Sequence, residues 1–157
     1  MTAGGSDVVI IGGGIVGTAA AAFLADAGAS VTLVERDGLA SGASGANSGV
    51  VQHPFDRVLA GLYRETVELY RDLTDTDVGF RLGDEPAGLL YVSADEAAVR
   101  HVDRSLAEAF PALERIVAGG SALQAIEPAV APDLWGCRVA IGYPVAPAAS
   151  TYAYATI

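Results

Sequence analysis

Val8-Val9-Ile10-Ile11-Gly12-Gly13-Gly14-Ile15-Val16-Gly17, then an alanine-rich run to Gly28, then Val31-Thr32-Leu33-Val34-Glu35, reads as strand, glycine turn, helix, strand and acidic end. That order is the sequence form of a βαβ dinucleotide-binding unit. The four apolar residues before Gly12 suit a buried parallel strand. Gly12 permits the tight turn off the strand, Gly14 lets backbone approach a pyrophosphate, and Gly17 lets the helix lie close to the sheet. Ile15 and Val16 open the helix, whose free N–H groups and dipole favour phosphate. Glu35 ends the second strand, where a carboxylate can accept both ribose hydroxyls. The same charge would repel a 2′-phosphate, which disfavours NADP despite the adjacent Arg36. A glycine fingerprint alone is weak evidence; here the strand, the helix and the acid all stand at the required intervals.

The uncharged run from Val8 to Ala25 is long enough to raise the question of a membrane span, and Gly13 and Gly17 form a GxxxG pair. Gly and Ala contribute little transfer energy, however, and neither flank carries Lys or Arg. The lead before it lacks the positive charge of a signal peptide. The expectation is a cytoplasmic protein without a transmembrane segment. The 157 residues suffice for a domain with a core. With 52% hydrophobic and 18% charged residues, the chain should fold. A net charge of −10 leaves no basic patch to neutralise phosphates, so no nucleic-acid partner is expected. The single Cys137 excludes an internal disulfide and a cysteine-based metal site, and His53 and His101 lack ligand spacing, so no metal is expected.

Along the chain, Met1–Ser6 is a short lead, Asp7–Ile11 and Val31–Glu35 are strands, and Ile15–Ala27 is a helix stopped by Gly28. Residues 36–49 are nearly all small. They form either a flexible linker or a loop that wraps a polar cofactor, and the second reading is preferred because long loops inside compact domains are usually functional. Asp56 caps a helix running to about Thr74, with Val58, Leu59, Leu62, Tyr63, Val67, Leu69, Tyr70 and Leu73 as its apolar stripe. Phe80–Leu82 and Gly88–Ser93 read as a hairpin. Ala94–Phe110 reads as a helix. Pro111–Ile126 reads as helical but broken at Gly119-Gly120, with Ser121 capping its last piece. Trp135–Tyr143 reads as a strand, and Ser150 as the cap of a final helix.

Residues 1–49 together resemble the FAD-dependent oxidoreductases of the D-amino-acid oxidase, glycine oxidase and sarcosine oxidase group. The matching text, from Val8, is VVIIGGGIVGTAAAAFLADAGASVTLVERDGLASGASGANSGVVQH. Gly88-Leu89-Leu90-Tyr91-Val92, Ile126-Glu127-Pro128 and Tyr143-Pro144-Val145-Ala146-Pro147 resemble the family's later GxLxxA, LEP and GxVxP segments more loosely. The resemblance implies FAD rather than NAD, chiefly through the small-residue loop after Glu35, which in this family runs past the pyrophosphate and ribityl chain. The candidate cofactor residues are Gly12, Gly14, Ile15, Val16, Gly17, Glu35, Arg36, Ser44, Asn47, Ser48 and Gly49. Arg36 is read equally as an adenine neighbour or a surface residue.

The resemblance also implies oxidation of a small amine or amino acid by hydride transfer to flavin, with oxygen or another acceptor taking the electrons. The alternatives are oxidation of a 2-hydroxy acid or glycerol phosphate, and an inert FAD-binding fragment. No general base or carboxylate-binding arginine is identified, so the catalytic residues are unassigned. His53 follows the loop and is read as structural or as close to the flavin. Tyr63 and Arg64 are read as core packing or as neighbours of a carboxylate substrate, and Cys137 as an inert buried thiol. Members of this family are usually more than twice as long. The fold expected is therefore α/β: a Rossmann-like FAD-binding βαβ unit with the start of an α+β substrate domain, apparently truncated. Residues 1–55 would belong to the FAD-binding domain, 56–142 to a partial inserted or substrate domain, and 143–157 to the return towards the first. The piece alone is expected to lack turnover and to expose an apolar sheet edge.

Overall fold

The structure, a computed structural model, describes residues 5–76 and 78–157. Most of the expected lead, residues 1–4, lies outside them. The elements are β1 (Val8–Ile11), α1 (Ile15–Asp26), β2 (Val31–Val34), β3 (Val50–Val51), α2 (Leu59–Asp75), β4 (Leu89–Ser93), α3 (Glu96–Ala109), β5 (Arg115–Gly119), α4 (Gly120–Ile126), β6 (Trp135–Val139), β7 (Tyr143–Pro144) and α5 (Ala149–Tyr154). They divide into two compact units. One comprises Met1–Val50, Thr66–Leu82 and Val145–Ile157; the other comprises Val51–Glu65 and Gly83–Pro144. Residues 66–82 group with the glycine-turn segment.

In the first unit β1 and β2 run parallel, with Val8 opposite Val31 and Ile11 opposite Val34. Helix α1 is the crossover between them, as a parallel pair requires. Its small residues let it approach the strands closely, and it also packs against α5, where the Phe23 and Tyr154 rings lie 5.7 Å apart. Period-two alternation puts Val8, Ile10, Val31 and Leu33 on the face that α1 covers. The other face is open: Val9 is 60%, Ile11 88% and Val34 50% exposed. The unbroken apolar run therefore does not make a strand buried on both sides, since a helix covers only one face. Among the described residues no helix is long and apolar enough to cross a membrane.

Helix α2 begins where Asp56 Oδ1 accepts the N–H groups of Val58 and Leu59, the cap that the sequence indicates. Of its expected stripe, Val67 and Leu73 are buried, whereas Val58, Leu59, Leu62 and Leu69 are exposed. Phe80 and Leu82 are buried but form no strand. Phe80 stacks on Tyr70 at 5.1 Å, and the Leu82 N–H is taken by Thr74 Oγ1 rather than by a neighbouring strand. The expected hairpin with residues 88–93 is thus absent.

In the second unit β6 is the centre of an antiparallel sheet in the order β4-β6-β5. β5 corrects the helical reading of 111–126. Arg115-Ile116-Val117-Ala118-Gly119 alternates and contains β-branched residues, and a central strand offers it a ladder that the local sequence cannot reveal. α3 packs on one face over a core of Val99, Cys137, Val139 and Ile141, with Asp95 Oδ1 capping it through the Ala97 N–H. α4 starts at Gly120, with Gly119 rather than Ser121 at the cap position. Similarly α5 starts at Ala149 with Ala148 at the cap, not Ser150. The strand expected over 135–143 ends at Val139 and resumes only at Tyr143.

Leu123 on α4 is fully buried over Gly136 and Leu90. Leu123→Ala should therefore cost about 2–5 kcal/mol through lost burial and the cavity left behind. Val58→Ala, at an 82% exposed position, should cost less than about 0.5 kcal/mol. Urea denaturation of the two variants measures the contrast.

Candidate functional site

The glycine turn is built from backbone. Gly12 sits at φ +114°, a conformation that L side chains rarely adopt, and its N–H is held by Val34 O at 2.8 Å. A Cβ on Gly17 would overlap the Gly12 carbonyl oxygen and lie 3.4 Å from Ile10 Cγ2. Helix and strand can therefore meet this closely only with glycine at 17. Gly14, the residue before α1, provides no side-chain cap. The Ile15 N–H is instead taken at 2.9 Å by Ser44 Oγ, from the loop after β2. Among the described residues the N–H groups of Gly14, Val16 and Gly17 have no acceptor. The start of α1 therefore keeps three unpaired donors beside the Ile15 N–H that Ser44 holds, with the positive end of the helix dipole behind them.

Glu35 stands directly against this turn. One carboxylate oxygen accepts the Gly13 N–H at 2.6 Å; the other accepts Arg36 N–H at 2.7 Å and Asp37 N–H at 3.0 Å. The backbone N–H of Asp37, and next that of Gly13, hold its carboxyl below the usual carboxylate range, so it is ionised at neutral pH. Arg36 points to solvent and pairs with Asp37 at 2.8 Å, an exposed contact of little energetic weight.

Residues 36–49 are a folded string of turns. Ala40 N–H bonds to Gly13 O, Ser41 N–H to Gly38 O, and Gly45 and Ala46 N–H to Gly42 O. Asn47 turns its side chain back on the loop, donating to Ser44 O at 2.8 Å and accepting from Gly49 N–H at 2.8 Å. Ser48 is exposed. Gly49 has φ +66° and is buried, and a Cβ there would lie 2.6 Å from Val145 O. Three residues outside the candidate cofactor set fasten the loop. Val145 N–H bonds to Gly49 O at 2.8 Å, Ala148 N–H to Ser44 O at 3.0 Å, and Tyr152 Oη–H to Leu39 O at 3.3 Å. Two of these bonds use backbone groups, which carry no residue-type signal. Of the candidate cofactor residues, Gly12, Gly14, Ile15, Val16, Gly17, Glu35 and Ser44 therefore form one constellation, while Asn47 and Gly49 shape its loop.

His53 lies in the second unit and is buried. The rings of Phe55, Tyr63 and Phe110 meet it edge-on at 5.2, 5.0 and 4.9 Å. Its Nδ1 accepts the Phe55 N–H at 3.1 Å, so the neutral ring carries its proton on Nε2. Burial, and secondarily the charge of Arg64, push its pKa below 6.5. Cys137 is fully buried, and burial pushes its thiol pKa up, which suppresses the nucleophilic thiolate.

Gly17→Ala should force α1 off β1 and lower the melting temperature of the first unit, whereas Gly14→Ala, which meets only Ser44 Oγ at 3.0 Å, should be milder. The His53 effect has a definite sign. Below 6.5 the unfolded chain binds a proton that the folded chain refuses, so stability should be full above 6.5 and decline as pH falls towards the lowered value. Urea midpoints of the parent and His53→Phe on either side of 6.5 test this, the variant losing the dependence.

A family model described as FAD-dependent oxidoreductase (DAO) matches residues 7–156. The tRNA 5-methylaminomethyl-2-thiouridine biosynthesis bifunctional protein of Chromohalobacter salexigens is 38% identical over 135 residues, which are 80% of this chain and 18% of that protein. The crystal structure of a glycine oxidase from Bacillus cereus superposes with a TM-score of 0.76 at 26% identity, covering 97% of this chain and 44% of the oxidase. An L-amino acid deaminase from Proteus myxofaciens, in complex with anthranilate, gives 0.75 at 26% identity over 96% of this chain and 35% of its own. The chain thus spans less than half the length of these relatives. The match over residues 7–156, on a structure that forms the βαβ turn and its loop, places this chain in the FAD-dependent oxidoreductase (DAO) family.

Proposed function

We propose that residues 8–49 form the adenosine and pyrophosphate part of an FAD site, in a protein that oxidises a small amine or amino acid. The observation that supports this most is the set of unpaired donors at the start of α1 beside an ionised Glu35, with Ser44 reaching across from the loop. The groups present fit the cofactor. The N–H donors of Gly14, Val16 and Gly17 match pyrophosphate oxygens, and Gly14 adds no side chain of its own to the approach that Ser44 already borders. Ionised Glu35 accepts the ribose hydroxyls in charge-assisted bonds. The turns from Ser41 to Gly49 then guide the ribityl chain, with Ser48 and the Ser44 hydroxyl as donors. Bound there, FAD supplies a hydride acceptor for a C–H beside nitrogen, and the resulting imine hydrolyses. This chain's residues bind and orient; none of those described is assigned as a general base.

The amine or amino-acid substrate is chosen on the glycine oxidase and L-amino acid deaminase likenesses. The thiouridine-biosynthesis relative shares only 18% of its length, so its task on tRNA is not carried over. The net charge of −10 also favours a small-molecule substrate over nucleic acid. Anaerobic mixing of the complete flavoprotein with amines and amino acids, and separately with 2-hydroxy acids and glycerol phosphate, tests the assignment. Bleaching of the flavin by the nitrogen compounds alone is expected. Bleaching by the hydroxy compounds alone would replace the substrate class. For this chain by itself, no turnover is expected with either set.

Glu35→Gln keeps an acceptor for the Gly13 N–H but loses the charge. It should weaken FAD binding about tenfold or more with the fold intact. Gly14→Val should eliminate flavin retention altogether. A flavin-loaded Gly14→Val protein, or unchanged affinity in Glu35→Gln by fluorescence titration, would remove these residues from the site.

A further inference from the structure

We infer that the cavity beside His53 is a second binding site, for a small organic carboxylate with an aromatic or branched apolar body. The cavity measures about 490 Å³ and lies wholly in the second unit, between the start of α2 and the end of α3. That volume falls within the range of small-molecule sites. Its walls are apolar and aromatic, with Ala60, Phe110, Pro111 and Leu113 among them. The residues with polar side chains that line it are Arg57, Arg64, Tyr63 and His53.

The charge pattern selects the ligand. The chain has 19 acidic and 9 basic residues, yet two arginines and no acid line this cavity. Of the two acids adjacent to these arginines in sequence, Asp56 spends its carboxylate capping α2, and Glu65 is exposed and does not line the cavity. Among the described residues neither Arg57 nor Arg64 has an ion-pair partner. Arg64 lines the cavity together with His53, and its charge helps to lower the pKa of that ring. Two arginines without ion-pair partners, in an otherwise apolar lining, match a carboxylate joined to an apolar body, since a guanidinium can bind a carboxylate through paired N–H···O bonds. An uncharged apolar molecule would leave the arginines unused, and inorganic phosphate would leave the aromatic wall unused.

A residue that packs against the cavity's His53 and Phe110 is also held under strain. Phe55 adopts φ +52°, a conformation rare for a bulky residue, and its ring packs edge-on to both His53 and Phe110. Such outliers persist where surrounding contacts over-determine them, and they cluster at ligand sites. The Phe55 N–H bond to Nδ1 fixes the neutral His53 tautomer with its proton on Nε2, so the ring adds a donor and no third positive charge.

The test needs no flavin, so its failure is separable from failure of the FAD assignment. The purified 157-residue chain is titrated calorimetrically with phenylacetate and with the uncharged phenylacetamide. Phenylacetate should bind saturably and shift the His53 ring signals in NMR spectra, and phenylacetamide should bind at least about tenfold more weakly. Arg57→Gln and Arg64→Gln should each weaken phenylacetate without changing the melting curve, and Phe110→Ala should weaken both ligands. Equal binding of the acid and the amide, no binding of either, or unaltered phenylacetate affinity in the double arginine variant would overturn the proposal.

Discussion

The contact between the Gly12 carbonyl and Gly17 is the constraint on which the first unit depends. A chain that leaves β1 and enters α1 within three residues must bring helix backbone against the strand it has just left. Only a residue without Cβ allows it, and a side chain at 17 would overlap the Gly12 oxygen. Once that contact is made, β2 pairs in parallel register and delivers Glu35 to the Gly13 N–H. The loop that follows then lays Ser44 over the helix start. Fold and candidate site are therefore one construction. The donors exposed at the start of α1 are the unsatisfied ends of the same helix that covers the sheet.

Much of this construction was legible because its signals are residue-specific and local. Glycine at 12, 14 and 17, the apolar runs at 8–11 and 31–34, and the acid at 35 each require a residue type. Asp56 was legible as a cap for the same reason. What was not legible depends on partners distant in the chain. Residues 115–119 read locally as helix, because they alone do not reveal that β6, some twenty residues on, offers a ladder. Phe80 and Leu82 looked like a strand because burial and strand alternation share a pattern; their partners are Tyr70 and Thr74 on α2. The fastening of the loop by Val145 and Ala148 uses backbone groups, which no pattern of side chains encodes.

The two units show different chemistry around their polar groups. In the first, an ionised carboxylate and unpaired backbone donors face outward, an arrangement suited to a ligand carrying both hydroxyls and phosphates. In the second, a neutral histidine is enclosed by aromatic rings, with two arginines lining the cavity. Family membership rests on the match over residues 7–156.

The central claim is that the start of α1 is an anion cradle for the diphosphate of FAD. Amide NMR spectra of the chain during titration with ADP and then FAD test it most directly. The account predicts saturable downfield shifts of the Gly14, Val16 and Gly17 amides with both ligands, lost in Gly14→Val, and further shifts over Ser44–Gly49 with FAD alone. Unmoved Gly14, Val16 and Gly17 amides under saturating FAD, with the parent chain folded, would contradict it.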